Sequence, residues 1–290
     1  MRMKSVGRLA VVCVFAAFAG RAPARCPAPP PAEEILARVA ENQEREVEAR
    51  LTIVYEQNTL VRLLRTNGKL AREERRTYLV TPTPSGTEKK LERFEGRYEH
   101  KGRLIAYDKP GFTYKELDLD GELIEDLTED LVNDRKARDG IAADLFPLTR
   151  REQRGYRFTL EGCRVPAGQP AYLLRFEPRR ESGGETKPWA GEAYVDAEEL
   201  QPRLVSTRLA RNLPAAVRIL LGISIRQLGF SVTFEKAGGG LWFPATYGTE
   251  FGLKVLFGYR RNITMNVVNS GFRRTSVEST VSFPSQLTEP

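Results

Sequence analysis

The sequence predicts an α+β protein built on one large, strongly curved antiparallel sheet of about ten strands. Three observations carry this. Strand-like runs dominate the 290-residue chain and follow one another in sequence-local order, which favours antiparallel neighbours over parallel crossovers. Several alternate cleanly, as in Phe230, Val232, Phe234 and in Leu253, Val255, Phe257, so the sheet has one apolar and one wetted face. Two amphipathic helices and one wholly apolar helix stand among the strands, and each needs a surface to lie on.

The chain opens with basic "MRMKSVGR", apolar "LAVVCVFAAFAG" and the small-x-small "RAPA". That order is a secretory signal peptide over residues 1–24, and its apolar part is too short for a stop-transfer helix. The expected product is a periplasmic protein, cut near Ala24 and not integral to the membrane. Taking the leader's Arg2, Lys4, Arg8 and Arg21 from the 45 basic residues leaves 41 against 38 acidic, a net of +3. This is an ordinary surface that gives no reason to expect nucleic acid as a partner. Cleavage leaves Cys26 and Cys163, which in an oxidising compartment either form a disulfide or stay as two thiols. Arg25, directly before Cys26, argues against an acylated N-terminus.

Residues 25–31 are a Pro-rich lead, 32–282 one domain, and 283–290 a flexible tail. "AEEILARVAENQEREVEARL" reads as an amphipathic helix with Glu33 and Glu34 at its positive end and a stripe of Leu36, Val39, Ala40 and Val47. "LTIVYEQNTLVRLLRTNGKLAREERRTYLV" supplies two strands joined at Asn67-Gly68, the signal for a type I′ turn. "REERR", residues 72–76, puts charge on both faces of the second arm, so that arm is expected to project into water.

"LERFEGRYEHKGRLIAYD" and the "KPGF" turn suggest another antiparallel pair. "GELIEDLTEDLVNDRKARDG" is helical, with Leu123, Leu127 and Leu131 at four-residue spacing and acid toward its front. "FPLTRREQRG" adds a helical turn. From Tyr156 strands follow: "YRFTLEGCRV", "AYLLRFEPRR", "GEAYVDAEEL", "RLVSTRLA", "GFSVTFEK", "LWFPATYGTEF", "LKVLFGYRR" and "NITMNVV". Between them lies "NLPAAVRILLG", a short helix capped by Asn212, opened by Pro214 and stopped by Gly222. Arg218 is its only charged group, so it is expected to be buried nearly all round, as a movable lid or a permanent plug over the sheet. Val217, Leu220 and Leu221 would do the covering.

The residue inventory removes much chemistry. His100 is the only histidine, so multi-histidine zinc sites are impossible, and in "RYEHKGR" it reads as solvated. Two cysteines cannot build a Cys₄ metal site. No glycine-rich phosphate loop follows a strand, and "KAGGG" reads as a hairpin turn. Asp196, Glu198 and Glu199 read as a polar turn. Arg179-Arg180, Arg260-Arg261 and Arg273-Arg274 read as solvated strand ends, or as a docking surface for acidic headgroups or a protein partner. No catalytic residue, metal or cofactor is assigned. The remaining enzymatic alternative is an envelope hydrolase using two carboxylates across a cleft.

With the elements in this order, the hairpin "GEAYVDAEELQPRLVSTRLA" resembles the aromatic-Val-Asp, acidic turn, Pro-Arg-Val hairpin of the periplasmic outer-membrane lipoprotein-sorting family, which includes LolA, LolB and MucB/RseB-like proteins. The resemblance covers essentially the whole mature chain. It implies an unclosed half-barrel whose concave face is covered by helices, and an apolar cavity that takes acyl chains of lipoproteins or other lipids. It also implies a strand arginine that latches the helical lid. No stretch here matches that motif, and Arg62, Arg93 and Arg103 fit it equally poorly.

The candidate cavity residues are Tyr55, Phe94, Phe158, Leu174, Phe230, Phe234, Trp242, Phe251 and Phe257, large apolar side chains at alternating strand positions that serve equally well as plain core. The reading is a soluble periplasmic lipid- or lipoprotein-binding protein, with transport to the outer membrane as one expected role. The alternative is a MucB-like envelope sensor that binds a membrane-anchored partner.

Overall fold

The computed structural model describes residues 26–83, 86–131, 146–179, 189–210, 224–226, 228–237, 239–254 and 258–275. The leader, the expected apolar helix with Val217, Leu220 and Leu221, Phe257, and the C-terminal tail lie outside them.

The helices are α1 (Ala32–Arg50), α2 (Leu119–Leu131) and the short α3 (Arg150–Gln153). The strands are β1 (Ile53–Leu64), β2 (Leu70–Thr83), β3 (Gly86–His100), β4 (Arg103–Tyr107), β5 (Tyr156–Arg164), β6 (Ala171–Pro178), β7 (Trp189–Asp196), β8 (Pro202–Leu209), β9 (Ser224–Arg226), β10 (Gly229–Lys236), β11 (Trp242–Lys254) and β12 (Arg260–Arg274).

All belong to one sheet in the order β4-β3-β2-β1-β12-β11-β10-β8-β7-β6-β5, with β9 pairing the end of β11. The ends of that path, β4 and β5, do not meet, so the sheet is an unclosed, curved half-barrel. Two meanders make it, β1–β4 and β5–β12, and the antiparallel pairing of β1 with β12 joins them. The expected separate strands "LWFPATYGTEF" and "LKVLFGYRR" run into one another as β11 up to Lys254, because β12 pairs it without interruption from Thr246–Val268 to Lys254–Arg260.

The turn at Asn67-Gly68 is not type I′. Gly68 has φ +79°, whereas Asn67 is not among the positive-φ residues. Gly68 N–H donates to Arg65 O, and Arg65 N–H donates to Lys69 O. These bonds close a three-residue loop with glycine in the left-handed position. The two-residue turn with both φ positive lies instead at Lys101 (+49°) and Gly102 (+80°), joining β3 to β4 where His100 faces Arg103.

Alternation sorts the strands into an inner face, which the helices cover, and an outer face. Under α1 the inner face packs Tyr156, Leu174, Phe176, Val205, Phe230 and Val232 against Ile35 and Val39. Under α2 it packs Val61, Leu63, Phe251, Ile263 and Met265 against Ile124. Leu228 and Tyr247 touch both clusters.

The buried stripe of α1 is Ile35, Val39, Ala40, Gln43, Glu46 and Arg50, which differs from the expected Leu36, Val39, Ala40 and Val47. Steps of three and four from Ile35 lead to polar residues in the second half of the helix, and these are tolerated inside because they find partners. Gln43 Nε2 donates to Gln201 Oε1, Gln201 Nε2 donates to Glu46 Oε1, and Arg50 Nη1 donates to Trp242 O.

The largest departure is "REERR". Arg72, Glu73, Glu74 and Arg76 are all buried, Arg72 completely. β2 does not project into water: it is an interior strand, paired along its length with β1 and β3. Its charges are tolerated inside because opposite charges meet them on each face.

Candidate functional site

The site begins with the alternation of β2. Arg72, Glu74 and Arg76 share the inner face, opposite Leu63, Val61 and Thr59 of β1. The apolar bed under α2 therefore passes directly into a charged rim.

Across that rim Glu74 faces Gly96, and Gly96 faces Tyr107. A Cβ at Gly96 would lie 2.2 Å from the Tyr107 ring, so glycine there lets the ring fold back across β3. Tyr107 Oη then donates to Glu74 Oε1 at 2.6 Å and accepts from Arg72 Nε at 2.7 Å. Arg72 also donates to Asp118 Oδ2 at 2.7 Å and to Phe112 O at 2.5 Å. Arg76 Nη2 bridges Glu74 at 2.5 Å and Glu125 of α2 at 2.6 Å. Burial acts first on both guanidiniums and would lower their pKa values; the phenol and carboxylates around them outweigh it and hold them above the ordinary range. Burial, then the Glu74 charge, pushes the Tyr107 phenol up.

A second clamp grips the same turn of α2. Arg261 reaches Asp120 with both prongs, at 2.7 and 2.9 Å, and Tyr259 Oη donates to Asp120 at 2.6 Å. Arg261 is thus no solvated strand end, in contrast to its exposed neighbour Arg260. Acidic residues in a first helical turn also sit at the positive end of the dipole, so the clamps and the helix favour the same charge.

Beyond Tyr107 lies an aromatic group the sequence reading did not assemble. Tyr98 stacks on Tyr114 at 4.8 Å and Tyr107 on Phe112 at 4.7 Å. His100 is exposed at the edge of this group, 6.0 Å from the Tyr114 ring, as its charged surroundings predict.

At the α1 end, Asp196 Oδ1 accepts from the backbone N–H groups of Glu198 and Glu199, so "DAEE" forms the expected polar turn. Glu199 accepts from Trp242 Nε1 at 2.7 Å and pairs with Lys236. Burial raises the pKa of Glu46 against the opposing charges of Arg50 and Arg45, and its Oε2 has no hydrogen-bond partner among the described residues. Among those residues no group of three or more His, Cys, Asp and Glu is arranged to hold a metal.

The expected cavity residues fall in three places. Leu174, Phe230, Phe234 and Trp242 are buried in the cluster under α1, with Phe158 packed against it. Tyr55 and Phe251 are buried in the cluster under α2. Phe94 belongs to neither: it lies 5.7 Å from the Tyr107 ring, with the Arg76 guanidinium over it. There it lines a cleft of about 650 Å³ in which Ala106 and the Tyr107 ring stand among Glu73, Arg75, Glu95, Arg97 and Asp108.

Cys26 and Cys163 are bonded, with Cα atoms 5.8 Å apart, and tie the Pro-rich lead to β5. Arg62 lies on the outer face, paired with Glu73, while Arg93 and Arg103 are exposed. Among the described residues, the strand arginines that reach α2 or the residue before it are Arg72, Arg76 and Arg261. The available signal was "REERR": charge at alternate positions inside an otherwise strand-like run marks either an edge or a buried network, and periodicity alone does not separate the two.

No family model matches the chain, and no curated protein matches it. Among solved structures, it is similar to an outer-membrane lipoprotein-sorting protein domain from Vibrio parahaemolyticus, at 12% identity over 85% of this chain and 95% of that one, TM-score 0.36. It is also similar to a DUF1329 family protein from Desulfovibrio piger, at 12% identity over 87% and 96%, TM-score 0.36. A third likeness is to lipovitellin, at 8% identity over 81% of this chain and 28% of that one, TM-score 0.32.

Proposed function

We propose that the protein is a periplasmic binder of lipid or lipoprotein, taking acyl chains between the inner face of the sheet and α2. One observation carries this reading: α2 is held over an apolar bed chiefly by charged clamps at its first two turns. Arg72 on Asp118, Arg261 on Asp120 and Arg76 on Glu125 fix one end. Among the described residues, the apolar contact of α2 with the sheet is made by Ile124, Leu123 and Leu127. A cover anchored electrostatically at one end can shift over an apolar bed without breaking its anchor.

Such a site needs no reactive group. Burying an acyl chain at about 0.8 kcal/mol per methylene yields on the order of 10 kcal/mol gross, enough to offset immobilisation. Export is supported by the leader-like N-terminus and by the Cys26–Cys163 bond, which suits an oxidising compartment.

Mass spectrometry of organic extracts from the purified protein, combined with titration of a fluorescent fatty acid, tests the reading. Co-purified lipid and saturable probe binding are expected; neither appearing would refute it. The sensor alternative rests on exposed Arg260, Arg273 and Arg274 at the two ends of β12. It predicts that charge reversal at Arg260 releases a membrane-anchored partner in envelope pull-downs, and unchanged partners would remove its support.

A further inference from the structure

The outer face of β5–β8 carries a second site, unrelated to the helix-covered face. Register places Arg157 opposite Glu177, and Ala190 opposite Arg208. The Phe176–Gly191 pair sets Glu177 beside Ala190. One row across four strands therefore reads Arg157, Glu177, Ala190, Arg208, and it continues to Gly229 on β10. Ala190 floors a basin of about 680 Å³ walled by the long side chains of Arg157, Glu177 and Arg208, which Arg179 and Ala210 complete.

Among the described residues Arg157 and Arg208 form no ion pair, and both are exposed. Arg179 is oriented by its own backbone neighbourhood: its Nε donates to Tyr156 O at 2.7 Å and its N–H to Gly155 O at 2.8 Å. Among the described residues its two terminal nitrogens meet no further partner, which leaves them for a ligand. Neighbouring strands are about 4.8 Å apart, so Arg157 and Arg208 stand three spacings apart with Glu177 and the Ala190 methyl group between them. Two guanidiniums leaning inward close that gap to the width of a small anion.

We propose that this basin binds a phosphate group. Three arginines against Glu177 leave two positive charges, which match a phosphate better than a carboxylate. Three guanidinium forks also offer more donors than the two oxygens of a carboxylate can accept, whereas a tetrahedral oxyanion uses them from several directions. The phosphate can be free or carried by a lipid headgroup, and the chemistry recognised is the same.

Calorimetric titration of the full chain with inorganic phosphate at low salt, with chloride as the reference, tests the site. Saturable binding is expected. Arg157→Gln and Arg208→Gln should each weaken it at least about tenfold, the usual scale for losing one charge-assisted contact. Glu177→Gln should tighten it by removing the competing carboxylate, a gain that no folding defect imitates. Lys69→Gln, in the exposed turn between β1 and β2, should leave it unchanged. Absence of saturable binding, or binding indifferent to the two arginine substitutions, would overturn the proposal. Short-chain phosphatidylglycerol that binds more tightly than inorganic phosphate, and competes with it, identifies the headgroup as the source; equal or weaker binding identifies free phosphate. Vesicles containing phosphatidylglycerol that bind without competition from phosphate would mean a diffuse charged surface, and would overturn a discrete site. The outcome is independent of acyl binding on the inner face.

Discussion

Asp118 and Arg72 meet at 2.7 Å in the interior while the other oxygen of the same carboxylate accepts the backbone N–H of Gly121 at 3.1 Å. One side chain thus caps α2 and ties it to β2. The double use explains the exposure of its neighbours, Leu117 at 62% and Leu119 at 42%: drawing Asp118 inward turns the flanking side chains out.

Replacing Asp118 separates the two roles. Asp118→Ala removes the nearest counter-charge of buried Arg72 and leaves Glu74, at 3.7 Å, as its ion partner, so the loss lies toward the lower end of the roughly 3–5 kcal/mol for breaking a buried pair, with about 1 kcal/mol more for the missing cap. Asp118→Asn keeps a capping oxygen and should lose measurably less. Urea denaturation of the three proteins measures the order, and equal losses for both variants would show that the cap carries no weight.

Gly121 offers a test in which local preference and tertiary contact oppose one another. In a helix, Gly→Ala ordinarily stabilises by about 1 kcal/mol. Here the added Cβ would lie 2.8 Å from Arg72 Nη1, which Asp118 holds in place. Gly121→Ala should therefore lower the melting temperature, and Gly96→Ala should lower it further by expelling the Tyr107 ring. A raised melting temperature for Gly121→Ala would show that Arg72 yields without cost.

Two buried carboxylates should give opposite pH signatures. Burial raises the Glu46 pKa above its ordinary 4.5, so the folded protein carries a penalty at neutral pH that protonation relieves. Glu46→Gln should accordingly be more stable than the parent at neutral pH, with the advantage fading as pH falls through the raised pKa and gone below 4.5. For Glu73, burial alone would raise the pKa, but the Arg62 hydrogen bond and the charges of Arg97, Arg62 and Arg75 lower it overall. Glu73→Gln should be less stable at neutral pH, and the deficit should close as acid protonates the parent below its depressed pKa. Denaturant midpoints across the acid range measure both.

The Cys26–Cys163 bond closes a separation of 137 residues. In the chain-entropy model its removal costs on the order of 5 kcal/mol. Cys26→Ser with Cys163→Ser should lower the denaturation midpoint without changing far-ultraviolet circular dichroism. An unchanged midpoint would indicate that the Pro-rich lead is not tied down in solution.

By itself the sequence determined the class, the antiparallel pairing of neighbours and the apolar alternation in Phe230, Val232 and Phe234, because these depend on two-residue periodicity along one strand. It also determined the polar turn at Asp196 and the solvated place of His100. Only the tertiary structure decided that β1 pairs with β12, since partners 198 to 221 residues apart leave no local signal. The same limit explains "REERR". Whether Arg72 and Glu74 are solvated or buried depends on what stands opposite them, and those partners come from β4, the loop before α2 and α2 itself. Desolvation is offset only where Tyr107, Asp118 and Glu125 converge, and that convergence is a property of the folded chain alone.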